Sequence, residues 1–66
     1  MSRTYVVTIK NLAKNKAKKI MVESANPMEA HKEAFMSTKN NEEIMVIYDE
    51  SDEVVYDLKH GFKQAY

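Results

Sequence analysis

The sequence predicts an α+β domain: a four-stranded antiparallel sheet of two hairpins with one helix packed across it, in the order β-β-α-β-β. Three observations carry this reading. Four short runs rich in Val, Ile, Tyr and Met alternate between two faces with a period of two residues. One segment of helical period, opened by the only proline, separates the second run from the third. With 66 residues the chain has room for a single small domain, residues 1–66, and for no second one.

The first run is Thr4–Lys10, in which Tyr5, Val7 and Ile9 share one face and Val6 and Thr8 the other. A polar stretch from Asn11 to Ala17 follows, then a second run at Lys18–Ser24, so the pair reads as a hairpin with a long tip of about seven residues. A short basic helix over residues 10–21 competes, since Ala and Lys favour helix. Asn11 and Asn15 interrupt it, and Leu12, Ala13 and Ala17 make too thin an apolar stripe.

The helix has the clearest signals. Asn26-Pro27-Met28-Glu29 supplies an N-cap, a proline at the first helical position and an early acid. Ala30, Ala34, Pro27, Thr38, His31, Phe35 and Met28 occupy one arc, while Glu29, Lys32, Glu33 and Lys39 occupy the other. Met36 falls in the polar arc and is expected to be exposed. Lys39-Asn40-Asn41 is the expected stop.

Glu43–Asp49 and Glu53–Lys59 form the second hairpin around Glu50-Ser51-Asp52. Its register stays open, because a one-residue change in loop length reverses the buried face. Pairing Asp49 with Val54 joins Met45 and Ile47 to Val54, Tyr56 and Leu58. Pairing Tyr48 with Val54 gives that face Ile44, Val46 and Tyr48 instead; this is the preferred register, with Met45, Val55, Asp57 and Lys59 outside. Residues 59–66 read as a flexible tail or one helical turn pairing Phe62 with Tyr66. One face of the sheet is left uncovered and carries apolar residues, a candidate interface.

Composition excludes several classes. Cysteine is absent, so there is neither a disulfide nor a thiolate zinc site, which fits a reducing, cytoplasmic setting. No signal peptide or membrane span fits the short apolar runs. An apolar content of 44% with zero net charge argues against disorder.

The neutral total hides a separation of charge. Residues 1–25 hold six basic side chains and one acidic, and residues 42–57 hold seven acidic and none basic. Lys10, Lys14, Lys16, Lys18 and Lys19 on the first hairpin are a candidate phosphate-contacting set. Against that stand a single Arg, no aromatic among the lysines, and an acidic hairpin that is close by in so small a domain. Asp49, Glu50, Asp52 and Glu53 form the acidic counterpart. They read as a solvated turn or as a row of carboxylates imitating phosphates; the Ca²⁺-loop pattern, with its central glycine, is missing.

Catalysis is not expected. His31 lies in the apolar arc and reads as a packed histidine, and His60 has Asp57 three residues before it but no pocket around the pair. A sheet with one helix is also expected to lack a ligand cleft of about 300 Å³. No cofactor and no metal are expected.

The layout Tyr5–Ile9, Ile20–Ser24, Asn26–Lys39, Ile44–Tyr48, Val54–Leu58 resembles small bacteriophage-encoded inhibitors, of the anti-CRISPR type or the type that inhibits host RNA polymerase. The resemblance implies a stoichiometric blocker of a host nucleic-acid machine that docks by surface charge in the bacterial cytoplasm, as monomer or homodimer. The sequence therefore leads to a non-enzymatic protein-binding inhibitor or modulator whose partner is a host protein or nucleoprotein complex. Two alternatives stand beside it: a small dimeric nucleic-acid-binding regulator using the Lys-rich hairpin, and a self-assembling structural protein in which basic and acidic hairpins of successive copies meet.

Overall fold

The structure, a computed structural model, describes residues 2–63. Five strands and one helix follow one another as β1 (Arg3–Asn11), β2 (Lys16–Ser24), α1 (Pro27–Met36), β3 (Glu42–Tyr48), β4 (Val54–Asp57) and β5 (Gly61–Phe62). All strands join one antiparallel sheet in the order β2-β1-β3-β4-β5. The two expected hairpins are present and lie side by side, joined through β1 and β3. The fifth strand is an addition to the four expected.

The first hairpin is tighter than its sequence suggests. Strand pairing continues to Asn11 opposite Lys16, leaving a turn of residues 12–15 in place of the long tip. The two asparagines explain this. Asn11 Oδ1 accepts the Lys14 N–H at 2.9 Å, and Asn15 takes a left-handed φ of 53°, which an asparagine tolerates better than most residues.

Helix α1 begins as expected, with Asn26 Oδ1 accepting the Glu29 N–H at 2.9 Å. It ends at Met36, earlier than Lys39. Hydroxyls take the last carbonyls: Thr38 Oγ1 donates to the Phe35 C=O at 2.7 Å and Ser37 Oγ to that of Glu33 at 3.3 Å. Only Ala30 and Ala34 are buried, so the contact stripe is two alanines wide. Small side chains let the helix sit close to the sheet. Met36 is 76% exposed, in keeping with its place on the polar arc.

The core lies between that stripe and one sheet face: Tyr5, Val7 and Ile9 from β1, Ile44 and Ile47 from β3, with Ile20, Val22, Val55 and Tyr56 packed at its margin. The preferred register holds at the turn, where Tyr48 pairs with Val54, and fails one residue further. Ile47 pairs with Tyr56, which leaves Val55 as an extra residue, and a second irregularity leaves Met45 extra between Val46 and Ile44. Each bulge shifts the alternation by one. Ile44 and Ile47 consequently share the helix-covered face, while Val46 and Tyr48 lie on the other. The carbonyls of both extra residues are used: Met45 C=O accepts the Leu58 N–H and Val55 C=O the Lys63 N–H, each at 2.9 Å.

Beyond Asp57 the chain turns back instead of running on as a tail. Asp57 Oδ1 accepts the N–H groups of Lys59 and His60, Oδ2 meets His60 Nδ1 at 3.2 Å, and Gly61 adopts a φ of 77°. That geometry returns Gly61 and Phe62 to β4 as β5. The expected Phe62–Tyr66 pairing lies outside the described residues. Phe62 itself packs on Tyr56, ring centroids 4.8 Å apart.

Candidate interaction surface

The register of β1 decides where the charges go. Asn11 stands opposite Lys16 and Glu42, whereas Val6 stands opposite Tyr48. The turn at 12–15, with Lys10, Lys14 and Lys16 in and beside it, therefore leaves one end of the strands, and the acidic turn at 49–53 leaves the other. The molecule measures 36 × 22 × 17 Å, and nine-residue strands of about 30 Å run along its long dimension. The two charged hairpin tips are far apart, not neighbours. A polyanion at the basic tip would not meet the carboxylates of the acidic turn, but it would meet Glu42 and Glu43 of β3, which stand beside the lysines.

The five lysines do not form one patch. By strand alternation Lys16 and Lys18 lie on the helix-covered side of β2, Lys19 and Lys10 on the uncovered side, and Lys14 is in the turn itself. Lys18 is already engaged, its Nζ 3.2 Å from Glu42 Oε2. Lys10 pairs across the sheet with Glu43. Glu42 also accepts the Lys39 N–H at 2.9 Å, and that bond, with the Lys18 ammonium, holds its carboxyl below the usual range. The basic end is thus partly neutralised by acids of β3.

The acidic end is built differently. Asp49 Oδ1 accepts the N–H groups of Ser51 and Glu53 at 2.8 and 3.0 Å, so Asp49 shapes the turn from within. Glu50 Oε1 accepts the Thr4 N–H at 3.1 Å and ties the turn to the start of β1. Asp52, at a φ of 63°, and Glu53 are exposed. Among the described residues, Glu50, Asp52 and Glu53 make no ion pair. Arg3 lines the same groove as Asp49, Glu50 and Ser51 but bridges none of them. Helix α1 also starts at this end, with Glu29 in its first turn.

Two further surfaces stand out, and the sequence marks only the first of them as a candidate interface. The uncovered sheet face carries half-buried Val6, Thr8, Val46, Tyr48 and Val54. At its centre the Thr8 hydroxyl is shielded from solvent and has no hydrogen-bond partner. On the opposite side, an aromatic corner closes the gap between α1 and β4–β5. His31 meets Tyr56 edge-on at 4.6 Å and Phe62 at 5.5 Å, and stacks with Phe35 at 6.4 Å. The helix arc had placed His31 and Phe35 together, but it took the fifth strand to bring Phe62 there.

Enclosure in this corner pushes the His31 imidazole below its ordinary pKa of 6.5, because charging it costs hydration. The folded protein prefers the neutral ring, so its contribution is complete above about pH 6.5 and is lost as pH falls through the lower, folded-state value. Urea unfolding is expected to show a loss of stability between about pH 7.5 and about pH 5.5, and His31→Phe to show a smaller one. An equal loss in the variant would place the titration elsewhere.

Surface grooves are larger than the chain length leads one to expect. One of about 520 Å³ runs along the outside of β2, lined by Met21, Val22, Glu23, Glu33, Met36 and Ser37. It is an open trough. A smaller one of about 180 Å³ lies at the aromatic corner. Among the described residues, no three His, Asp or Glu side chains converge on a possible metal position, and no helix is long and apolar enough to cross a membrane. No family model, curated protein or solved structure matches this chain.

Proposed function

We propose that this chain is a non-catalytic docking protein that inhibits or modulates a nucleic-acid-handling protein, its acidic turn occupying a basic groove that otherwise holds phosphates. One observation carries the choice between its two charged ends. The carboxylates of Glu50, Asp52 and Glu53 stand without ion pairs at one end, whereas at the other Lys18 is paired with Glu42 and Lys10 lies across the sheet from Glu43. Carboxylates and phosphates accept from the same Lys and Arg donors. A charge separation along the long dimension also orients the molecule as it approaches a basic partner, which raises encounter rates at low salt. A phage-encoded inhibitor acting in a bacterial host is the setting that the layout resemblance implies.

The test is capture of partners from bacterial lysate by the tagged protein, with and without nuclease. Wild type is expected to retain one stoichiometric protein through nuclease treatment. The triple variant Glu50→Gln, Asp52→Asn, Glu53→Gln removes the charge but leaves Asp49 to form the turn, and it is expected to lose that partner. Lys14→Glu, Lys16→Glu, Lys19→Glu is expected to keep it. Capture that disappears with nuclease, or that only the lysine variant abolishes, would instead assign the protein to direct nucleic-acid binding through its basic end.

A further inference from the structure

We propose that the chain forms a two-fold dimer in which the free edge of β2 pairs antiparallel with the same edge of a second copy, centred on Met21. Strand β2 is nine residues long and borders the sheet, with a strand neighbour on one side only. Edges of this length are ordinarily protected by lysines, bulges or prolines. Here the protection covers half the strand: Lys16, Lys18 and Lys19 guard the first part, and Ile20-Met21-Val22-Glu23-Ser24 has none. The unguarded half is where apolar surface gathers. Met21 and Met36 are each 76% exposed and line the groove of about 520 Å³ beside β2.

The side chains select both the occupant and the register. In an antiparallel two-fold pairing, residues directly opposite must lie on the same sheet face, so the axis passes through a residue. With Met21 on the axis, Lys19 faces Glu23 of the second copy, Ile20 faces Val22, and Lys18 faces Ser24. Two opposite-charge pairs then flank a Met21–Met21 contact on the uncovered face. Moving the axis to Ile20 sets Lys19 against Met21 and Ala17 against Glu23. Moving it to Val22 sets Met21 against Glu23 and Lys19 against Ala25. Only the Met21 axis satisfies the charges.

The whole-molecule field favours the same arrangement. Because β2 runs from the basic end toward the acidic end, reversing the second copy lays its basic end beside the acidic end of the first. The two charge separations oppose and attract. A two-fold axis perpendicular to the sheet also keeps both helices on one side and joins two five-stranded sheets edge to edge. The contact is closed, so it stops at two copies and does not propagate. An edge pairing buries less than a standard interface, which makes the dimer dependent on concentration and salt.

The experiment is light scattering coupled to size exclusion over a concentration series at low salt, with circular dichroism to confirm folding. Wild type is expected to move from 7.7 kDa toward twice that mass as concentration rises, and to return to monomer at high salt. Met21→Lys, a change at an exposed position, is expected to stay monomeric. Lys19→Glu and Glu23→Lys each place like charges opposite one another and are expected to be monomeric, whereas the double swap Lys19→Glu/Glu23→Lys restores the dimer. Wild type that remains monomeric throughout, a Met21→Lys protein that still dimerises, or a double swap that does not recover would each overturn the assignment. None of these changes touches Glu50, Asp52 or Glu53, so loss of the dimer is distinguishable from loss of docking.

Discussion

Ile47→Ala is expected to destabilise the protein by about 2–5 kcal/mol, whereas Val46→Ala costs much less. The two residues are adjacent in β3 but lie on opposite faces. Ile47 is fully enclosed, pairing with Val7 of β1 and Tyr56 of β4 beneath the helix. Val46 is half-buried on the uncovered face, opposite Thr8. Truncating an enclosed isoleucine costs about 2–5 kcal/mol, from lost transfer free energy and the cavity left behind. A chain of 66 residues has roughly 3–10 kcal/mol in total at the usual stability per residue. The first substitution therefore consumes about half of the margin. Urea unfolding followed by circular dichroism reads both variants. Greater damage from Val46→Ala would mean that the faces of β3 are reversed.

The second large effect is expected at the helix. Ala34→Leu should destabilise by about 1–3 kcal/mol, although the change adds apolar surface and a good helix former. Ala34 and Ala30 are fully enclosed one turn apart and are the buried residues of α1. A leucine there has no space and pushes the helix from Tyr5, Val7 and Ile9. For a domain of this size each kcal/mol lowers Tm by roughly 4–8 °C. Met36→Leu, on the exposed arc, is the control and should shift Tm little. A Tm for Ala34→Leu equal to wild type would show that the helix stands off the sheet.

What was legible in the sequence was local. Asn26-Pro27-Met28-Glu29 announces the helix because the capping bond spans only three residues. Both hairpins were recoverable from two-residue alternation and turn residues. The register past Tyr48 was not, since the bulges at Met45 and Val55 depend on what β1 and β4 present across the sheet. Nor was the fifth strand: two residues carry no period, and Gly61 and Phe62 reach β4 only because the Asp57 carboxylate grips the turn before them. The His60 imidazole on its other oxygen, together with that grip, holds the Asp57 carboxyl below its ordinary range.

The charged residues show the same division. Counting along the chain located the basic and acidic segments. It did not show that Asp49 and Glu50 spend oxygens on the N–H groups of Ser51, Glu53 and Thr4, or that Lys18 is held by Glu42. The Asp49 bonds are local to the turn, whereas the Thr4–Glu50 and Lys18–Glu42 contacts depend on how β1 pairs with β2 and β3. The free edge of β2 was hidden for the same reason, because strand order in a sheet is not a property of any one segment.

The placement of β1 has a consequence in time. The first of the five strands to be synthesised is the one that ends up between two others, β2 on one side and β3 on the other. Its hairpin with β2 closes through a four-residue turn and forms quickly, whereas joining Asn11 to Glu42 requires the intervening helix to be made and folded back. During that interval the second side of Tyr5–Ile9 has no strand beside it. The nascent chain thus passes through a stage with a bare apolar ribbon that the finished protein never shows. Folding yield should therefore be limited by how soon β3 arrives, and crowding of unfinished chains should depress it more than the stability of the native state would suggest.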